Sequence, residues 1–366
     1  MNTIKKLNLL GLTKGELLGS INQFYPNLKK YQIEQLWHWI YVKGKQDISL
    51  MSNLSQNFRE ILDNNTEINY GEEKKSLTSI DGTIKKVLAF DQKSLIETVM
   101  IPENKRKTLC ISSQVGCSLA CKFCHTGTQK LLRNLTAGEV LGQYFSVAKM
   151  MNEFPLNELK KRKINNIVFM GQGEPLYNYR NVFKAVKILT DTSGLNFPKH
   201  KIIISTSGVT PMISKIASDL QVGLAISLHA VNDDLRNELV PINKTYNIKE
   251  LFNACSEYVK LSNNNNKRIT FEYVMLKGVN DSISEANQLV RLLSNLPAHV
   301  NLIPFNPWPG SKFECSDIST IRNFANILLN KNLKTTIRFS RGDDIMAACG
   351  QLKSIISDKQ KLHIEL

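Results

Sequence analysis

The densest chemistry in the sequence is Cys117-Ser-Leu-Ala-Cys121-Lys-Phe-Cys124, three thiols spaced CxxxCxxC. Three thiolates on one short loop can each hold an iron of a four-iron cubane and leave the fourth iron open. An open iron can chelate a small molecule and pass it one electron. Zinc is the competing reading, but structural zinc wants four ligands and no second cysteine pair lies at zinc spacing. His125 is a poor fourth ligand because it is adjacent to Cys124. Gly171-Gln-Gly-Glu-Pro175 is a glycine-rich loop after an apolar run, weak evidence by itself. Ser205, Ser227, Leu228, His229 and Asn306 stand at the ends of other apolar runs, where each alone reads as an ordinary strand-end residue. Cys110 and Cys349 lie 239 positions apart, and Cys255 and Cys315 match no motif and read as inert thiols.

These residues need a scaffold. Apolar runs at 109–113, 166–170, 202–205, 223–228, 270–276 and 300–305 read as buried strands, with amphipathic stretches such as 137–151 and 182–190 between them. Six βα units in series predict a parallel sheet of the α/β class, open or closed into a partial (β/α)6 barrel. Ligands gather beyond the carboxyl ends of strands in such folds, and 117–124, 171–175, 205–208, 227–229 and Asn306 all fall there. One active centre is expected.

Residues 1–70 read as an N-terminal helical domain. Thr13-x-x-Glu16 is a capping box before Leu17, Leu18, Ile21 and Phe24. A second helix carries Ile33, Leu36, Trp37, Ile40 and Tyr41, with Gly44 as its stop, and a third carries Leu54, Phe58, Ile61 and Leu62. Trp37, Trp39 and Tyr41 at helical spacing read as core before they read as an RNA-stacking surface. Residues 71–102 form a β-hairpin and meander connector: strands at 76–80 and 83–90 flank the turn Asp81-Gly82, and a third at 95–101 carries Glu97. A core at 103–335 and a C-terminal segment at 336–366 complete the division.

Lysine and arginine number 47 against 32 aspartate and glutamate, a formal charge of +15. Residues 101–200 hold 15 basic and 6 acidic side chains, so most of the excess lies beside the cysteines. Its densest runs are Lys105-Arg106-Lys107 and Lys160-Lys161-Arg162-Lys163. The balance favours a polyanionic partner, nucleic acid first. With 42% hydrophobic and 22% charged residues the chain is neither disordered nor fibrous. No apolar run approaches the ~20 residues of a membrane span. The stretch at 7–12 is too short and interrupted for a signal peptide, so a cytoplasmic chain with reduced thiols is expected.

The cysteine spacing resembles the radical S-adenosylmethionine (SAM) superfamily. Within it, Glu97-Thr-Val-Met-Ile-Pro-Glu103, Leu109-Cys110-Ile-Ser-Ser-Gln-Val-Gly-Cys117 and Arg338-Phe-Ser-Arg-Gly-Asp-Asp-Ile-Met-Ala-Ala-Cys349-Gly350-Gln351-Leu352 resemble the RlmN/Cfr family of RNA methyltransferases. The likeness runs from about residue 10 to 352 and implies the radical-SAM form of the partial barrel. It also implies a [4Fe-4S] cluster on Cys117, Cys121 and Cys124, with SAM on the open iron. Gly173 and Glu174 would meet the SAM ammonium, and Ser205, Ser227, Leu228, His229 and Asn306 its ribose, carboxylate and adenine. Cys349 would take a methyl group from one SAM, and the deoxyadenosyl radical from a second would remove a hydrogen from it. The methylene then adds to carbon 2 of an adenosine, Glu97 takes the proton from that carbon, and Cys110 releases the product by forming a disulfide with Cys349. Carbon 2 lies between two ring nitrogens and is electron-poor, so it cannot attack a SAM methyl but does accept a carbon radical.

The implied substrates are 23S rRNA before full ribosome assembly and tRNA at the adenosine next to the anticodon. An electron donor such as flavodoxin or ferredoxin and a monomeric state go with them. His125-Thr-Gly-Thr departs from the wording of some relatives and is expected to touch no residue given a role. Rival readings are a Cfr-like methylation of carbon 8 and a non-enzymatic iron–sulfur or zinc RNA-binding module. The module would leave the 171–175 loop and the Cys110/Cys349 pair unexplained. A methylthiotransferase would need a second cysteine triplet, which the sequence lacks.

Overall fold

The computed structural model describes residues 6–92, 94–104, 106–157, 161–263 and 267–353. Lys105 and Lys160 of the basic runs, residues 264–266 of the asparagine run and 354–366 of the C-terminal segment lie outside the described residues.

Three helices open the chain: α1 (Lys14–Ile21), α2 (Lys30–Tyr41) and α3 (Gln56–Asn65). The capping box forms as expected, with Glu16 N–H on Thr13 Oγ1 at 3.3 Å and Thr13 N–H on the Glu16 carboxylate at 2.8 Å. Past α2 the chain turns at Gly44, whose φ is +62°. Trp37 and Tyr41 are buried, their rings 4.2 Å apart, and Tyr41 meets Phe145 at 5.9 Å. Phe145 belongs to α4 (Ala137–Met150), so the N-terminal helices share one hydrophobic core with the rest of the molecule. Gly11 permits the contact: a Cβ there would lie 2.2 Å from the Gly138 nitrogen, and one on Gly138 would lie 2.4 Å from the Leu10 carbonyl.

Ten strands make one sheet in chain order: β1 (Glu72–Thr78), β2 (Ile84–Ala89), β3 (Leu95–Glu103), β4 (Arg106–Cys110), β5 (Asn166–Phe169), β6 (Ile202–Thr206), β7 (Gly223–Ser227), β8 (Ile269–Met275), β9 (Ala298–Pro304) and β10 (Thr335–Ile337). From β4 onward every neighbouring pair is parallel, and β1 to β4 are antiparallel. Helices on the outer face, among them α5 (Tyr179–Leu189), α6 (Thr210–Lys215), α7 (Asp233–Leu239), α8 (Ile248–Leu261), α9 (Ile283–Leu293) and α10 (Ile318–Asn330), cover the parallel part. Its strands are apolar on both faces for that reason. Among the described residues β1 and β10 do not pair with each other, so the barrel is partial.

The structure refines the expectation in three places. The connector strands extend the barrel sheet itself, through the β3–β4 ladder. The strand expected at 109–113 runs instead over Arg106–Cys110. Residues beyond it stay extended, with the Ile111 N–H on the Val168 carbonyl at 2.9 Å and the Ser113 N–H on the Gln172 carbonyl at 2.8 Å. A seventh parallel strand, β10, is three residues long, below the length at which an alternating or apolar run is recognisable.

Candidate active site

The three-thiol loop leaves the short strand Gln114–Val115 and returns at Arg133–Asn134. Gly116, at φ +79°, makes the turn possible, since a Cβ would lie 2.2 Å from the Lys130 carbonyl oxygen. The loop is tied down from outside: Lys122 N–H donates to the Leu239 carbonyl of α7 at 3.1 Å, and Trp308 Nε1 to the Phe123 carbonyl at 3.0 Å. Phe123 packs edge-on against His229, with ring centroids 4.6 Å apart. Cys117, Cys121 and Cys124 all border one cavity of about 170 Å³ beyond the carboxyl ends of the strands. Burial pushes the Cys117 thiol up to about 12 and raises Cys121 and Cys124, so these thiols are neutral until a metal displaces their protons.

Gly173, Glu174, Ser205, Ser227, His229 and Asn306 line the same cavity. Gly173 has φ +92°, and a Cβ there would press into the Gln114 side chain at 2.4 Å. Glu174, 2% exposed, accepts from the Ser207 N–H at 2.9 Å and the Leu176 N–H at 3.0 Å. Burial still lifts its carboxyl to about 7. Val274 N–H donates to His229 Nδ1 at 3.1 Å, so the neutral ring carries its proton on Nε2. Burial, with the Arg236 charge beside it, holds the imidazole down at about 3. Leu228 is different. Its side chain is fully buried, and its carbonyl already accepts from Arg236 Nε at 3.1 Å and the Ala230 N–H at 2.9 Å. The structure does not bring Leu228 to the cavity lining.

The C-terminal segment closes the other side. Asn306 Nδ2 donates to the Cys349 carbonyl at 3.0 Å, and the Ser340 hydroxyl donates to Asn306 Oδ1. Cys349 is open to the cavity, and Cys110 at the end of β4 lines it too, so the fold brings the two distant thiols together. Burial pushes Cys110 up to about 12 and Cys349 to about 11, opposed in both by the Arg338 guanidinium. Glu97 on β3 does not line the cavity. It is buried, with Oε1 3.2 Å from Lys85 Nζ, and Lys85 also donates to the Met346 carbonyl at 3.0 Å. Glu97 Oε2 has no hydrogen-bond partner among the described residues. Burial raises this carboxyl and Lys85 opposes the rise.

One expectation is overturned here. The segment after Cys124 does touch a residue given a role: His125 N–H donates to the Gly350 carbonyl at 2.7 Å, its ring meets the Gln351 carbonyl at 3.2 Å, and Thr126 Oγ1 donates to the Leu352 carbonyl at 2.6 Å. The His125 ring stacks on Trp308 at 4.7 Å. The cluster loop and the Cys349 loop are one hydrogen-bonded unit, a relation no spacing rule reveals across such a distance.

Residues 111–290 match the model of the radical SAM superfamily, and residues 7–68 match that of the ribosomal RNA large subunit methyltransferase N-terminal domain. A dual-specificity RNA methyltransferase RlmN from Chelativorans sp. (strain BNC1) is 50% identical over 96% of this chain and 90% of its own. One of the same name from Mesorhizobium japonicum is 50% identical over 96% and 89%. The chain belongs to the RlmN family of radical SAM RNA methyltransferases. A solved radical SAM methyltransferase from Sphaerobacter thermophilus superposes with a TM-score of 0.88 at 41% identity, covering 95% of this chain and 99% of that one.

An RlmN-family enzyme works with an iron–sulfur cluster and SAM, and the residues present fit both. The donor set is three thiols on one loop facing one cavity, with a glycine cradle and a buried carboxylate opposite. Among the described residues no three His, Cys, Asp or Glu side chains converge to hold a single ion, which a mononuclear zinc would need. No helix among the described residues is long and apolar enough to cross a membrane.

Three members of the site escaped the sequence reading. Arg236, fully buried on α7, donates to the Leu228, Ser207 and Ser227 carbonyls and to Asn243 Oδ1, bracing three strand-end loops. In sequence it sits in a charged helical stretch and reads as solvated. Glu272 did leave a signal, a lone acid inside an apolar strand run. Arg338 stood inside a quoted segment with no role attached.

Proposed function

We propose that the chain methylates carbon 2 of an adenosine in 23S rRNA and in tRNA, carrying the methyl group on Cys349. The observation behind this reading is the meeting of Cys110 and Cys349 in the cavity that the three-thiol loop borders. Packing alone gives no reason for two thiols so far apart in sequence to share a polar cavity.

In this reading Cys117, Cys121 and Cys124 hold the [4Fe-4S] cluster. Gly173, Glu174, Ser205, Ser227, His229 and Asn306 hold SAM, with Glu174 against its ammonium. Cluster and SAM together supply the methyl group and the carbon radical that activates it. Cys349 loses its proton and takes the methyl on Sγ; the nearby Arg338 charge favours that thiolate. Its activated methylene carbon bonds to carbon 2 and links RNA to the protein. Glu97 accepts the proton from carbon 2, a task that its raised carboxyl suits. The Cys110 thiolate attacks Cys349 Sγ. A disulfide forms, the carbon–sulfur bond breaks with its electron pair on the methylene carbon, and that carbon takes a proton to become the methyl group. An external dithiol then restores both thiols.

The cavity lies beyond the strand ends, inside the protein, so the target base must leave its stack to reach it. This favours loops of protein-free 23S rRNA and the anticodon loop as substrates, with a flavodoxin or ferredoxin as electron source and a monomer as the working unit. Nucleoside mass spectrometry of both RNA pools, after anaerobic incubation with reconstituted protein, SAM and reductant, tests the assignment. 2-Methyladenosine in both supports it, and 8-methyladenosine moves the target carbon. SAM cleavage without any methylated adenosine rejects it. Cys110→Ala is expected to accumulate a protein–RNA adduct on a denaturing gel, and turnover without adduct would reject the resolving role.

A further inference from the structure

Arg338 is poorly accounted for by structure alone. It follows β10, its backbone N–H bonds the Leu302 carbonyl at 2.8 Å, and its side chain lines the cavity. Among the described residues the guanidinium makes no ion pair and one hydrogen bond, to Met170 Sδ at 3.8 Å. A thioether is a weak acceptor, and a guanidinium carries five N–H donors. The acid closest in role, Glu272, also faces the cavity. Asn301 Nδ2 donates to its Oε1 at 3.0 Å, and its Oε2 has no partner. Burial works against the charge on Arg338, but Glu272, Cys349 and Cys110 outweigh it, so the guanidinium stays charged. A cation and an acid thus border one cavity without pairing, each with hydrogen-bonding capacity unspent.

The position is informative. Arg338 belongs to the segment that carries Cys349 and reaches Met170, which closely follows Val168, the register partner of Cys110. The guanidinium therefore stands between the two thiols, where the target carbon must sit. In adenine that carbon is flanked by two ring nitrogens, both hydrogen-bond acceptors.

We propose that Arg338 is a catalytic residue, donating a hydrogen bond to a ring nitrogen beside the target carbon and drawing off electron density as the bond to that carbon forms. The inference rests on the methyl-transfer reading above. The new carbon–carbon bond uses the unpaired electron of the Cys349 methylene and one electron of the ring carbon–nitrogen π bond. The second π electron is left toward that nitrogen and spreads over the ring. An N–H of the guanidinium stabilises this electron-rich nitrogen and gives up no proton. Lysine is a point charge without the planar fork, so it replaces the contact poorly.

The test uses full-length reconstituted Arg338→Gln and Arg338→Lys, with cluster absorbance matched to the wild type. RNA stem-loops carry adenosine, 1-deazaadenosine or 3-deazaadenosine at the target position. Three quantities are read: the methyl mass increment on Cys349, the rate of RNA methylation, and the penalty of each analogue. The expectation is RNA methylation roughly 10- to 100-fold slower, the range for a hydrogen bond from a charged group. Cys349 methylation stays within about threefold, as expected when the thiol step does not depend on this contact. One analogue slows the wild type more than it slows the variants, because its missing nitrogen is the contact Arg338 makes. Equal analogue penalties in wild type and variants overturn the proposal. So does loss of Cys349 methylation in step with RNA methylation, which would place Arg338 on the thiol. If both variants fail to fold, the wild type still decides: both analogues reacting at the adenosine rate overturns the proposal, and one slowed at the RNA step with full Cys349 methylation supports it. A wild type that makes no methylated adenosine overturns the function reading as well, and that result is seen before any variant is examined.

Discussion

Glu97 shows how much a single side chain depends on its surroundings. The carboxylate is 4% exposed and its Oε1 lies 3.2 Å from Lys85 Nζ. Burial raises it above the ordinary 4.5 and Lys85 restrains the rise. A protonated Glu97 cannot accept the carbon-2 proton, so that step should speed up as pH rises through a value above the usual carboxylate range, then level off. Label release from carbon-2-deuterated RNA, in a single turnover of methyl-loaded Cys110→Ala protein, isolates the step from the Cys110 titration. Lys85→Met removes the restraining charge and should move the inflection to higher pH. It should also cost about 3–5 kcal/mol of stability, because the buried carboxylate loses its partner. Glu97→Gln should abolish label release, and a profile unchanged in Lys85→Met would remove Glu97 from the base role. Cys117, Cys121 and Cys124 were legible from type and spacing alone. Arg236 was not, because nothing local distinguishes an arginine that braces three carbonyls from one in water.

The element that matters most is a pair of loops. His125 and Thr126 follow the third cysteine and bond the backbone of Gly350, Gln351 and Leu352. The Cys349 loop is also clamped from the connector hairpin: Ser79 Oγ donates to Asp344 Oδ1 at 2.5 Å, and the Gly342 N–H to Asp81 Oδ2 at 3.0 Å. The hairpin was legible because Asp-Gly between alternating residues has a specific turn chemistry. Its use as a dock for a segment more than two hundred residues away was not. His125→Ala removes the contact to the Gln351 carbonyl and the stack on Trp308 while leaving the backbone bond to Gly350. Alkylation of Cys349 by iodoacetamide in cluster-free protein should then accelerate several-fold, about what loss of one hydrogen bond near 1 kcal/mol gives. An unchanged rate would show that the hairpin clamp suffices.

Across the whole molecule, the N-terminal helices and the barrel share a core through Trp37, Tyr41 and Phe145, with Gly11 against Gly138 at the seam. Removing residues 1–70 would uncover the buried face of α4, so the truncated chain should lose stability and aggregate, not merely bind RNA less. Gly138→Ala is the milder probe. Its Cβ meets the Leu10 carbonyl at 2.4 Å, and an overpacked contact of this kind costs about 1–3 kcal/mol. A wild-type melting temperature in Gly138→Ala would mean that the seam is looser than the structure has it. The charge of +15 acts on the same scale. RNA affinity should fall at least about tenfold between 50 and 200 mM salt, since each neutralised phosphate releases counterions. A flat salt response would remove the electrostatic argument for RNA contact.

By itself the sequence determined the elements and the ligand types. Apolar runs of strand length must be buried, helix caps need particular side chains within three residues, and three cysteines within eight positions define a metal loop without help from the rest of the chain. These are local rules, satisfied by neighbours in sequence. The tertiary structure alone decided which distant groups meet. It joined the connector to the barrel sheet, put Cys110 and Cys349 in one cavity, paired Glu97 with Lys85, kept Leu228 in the core and left Arg338 with donors to spare. Each of these depends on the crossing of strands and the closing of long loops, and no periodicity within a single element encodes them.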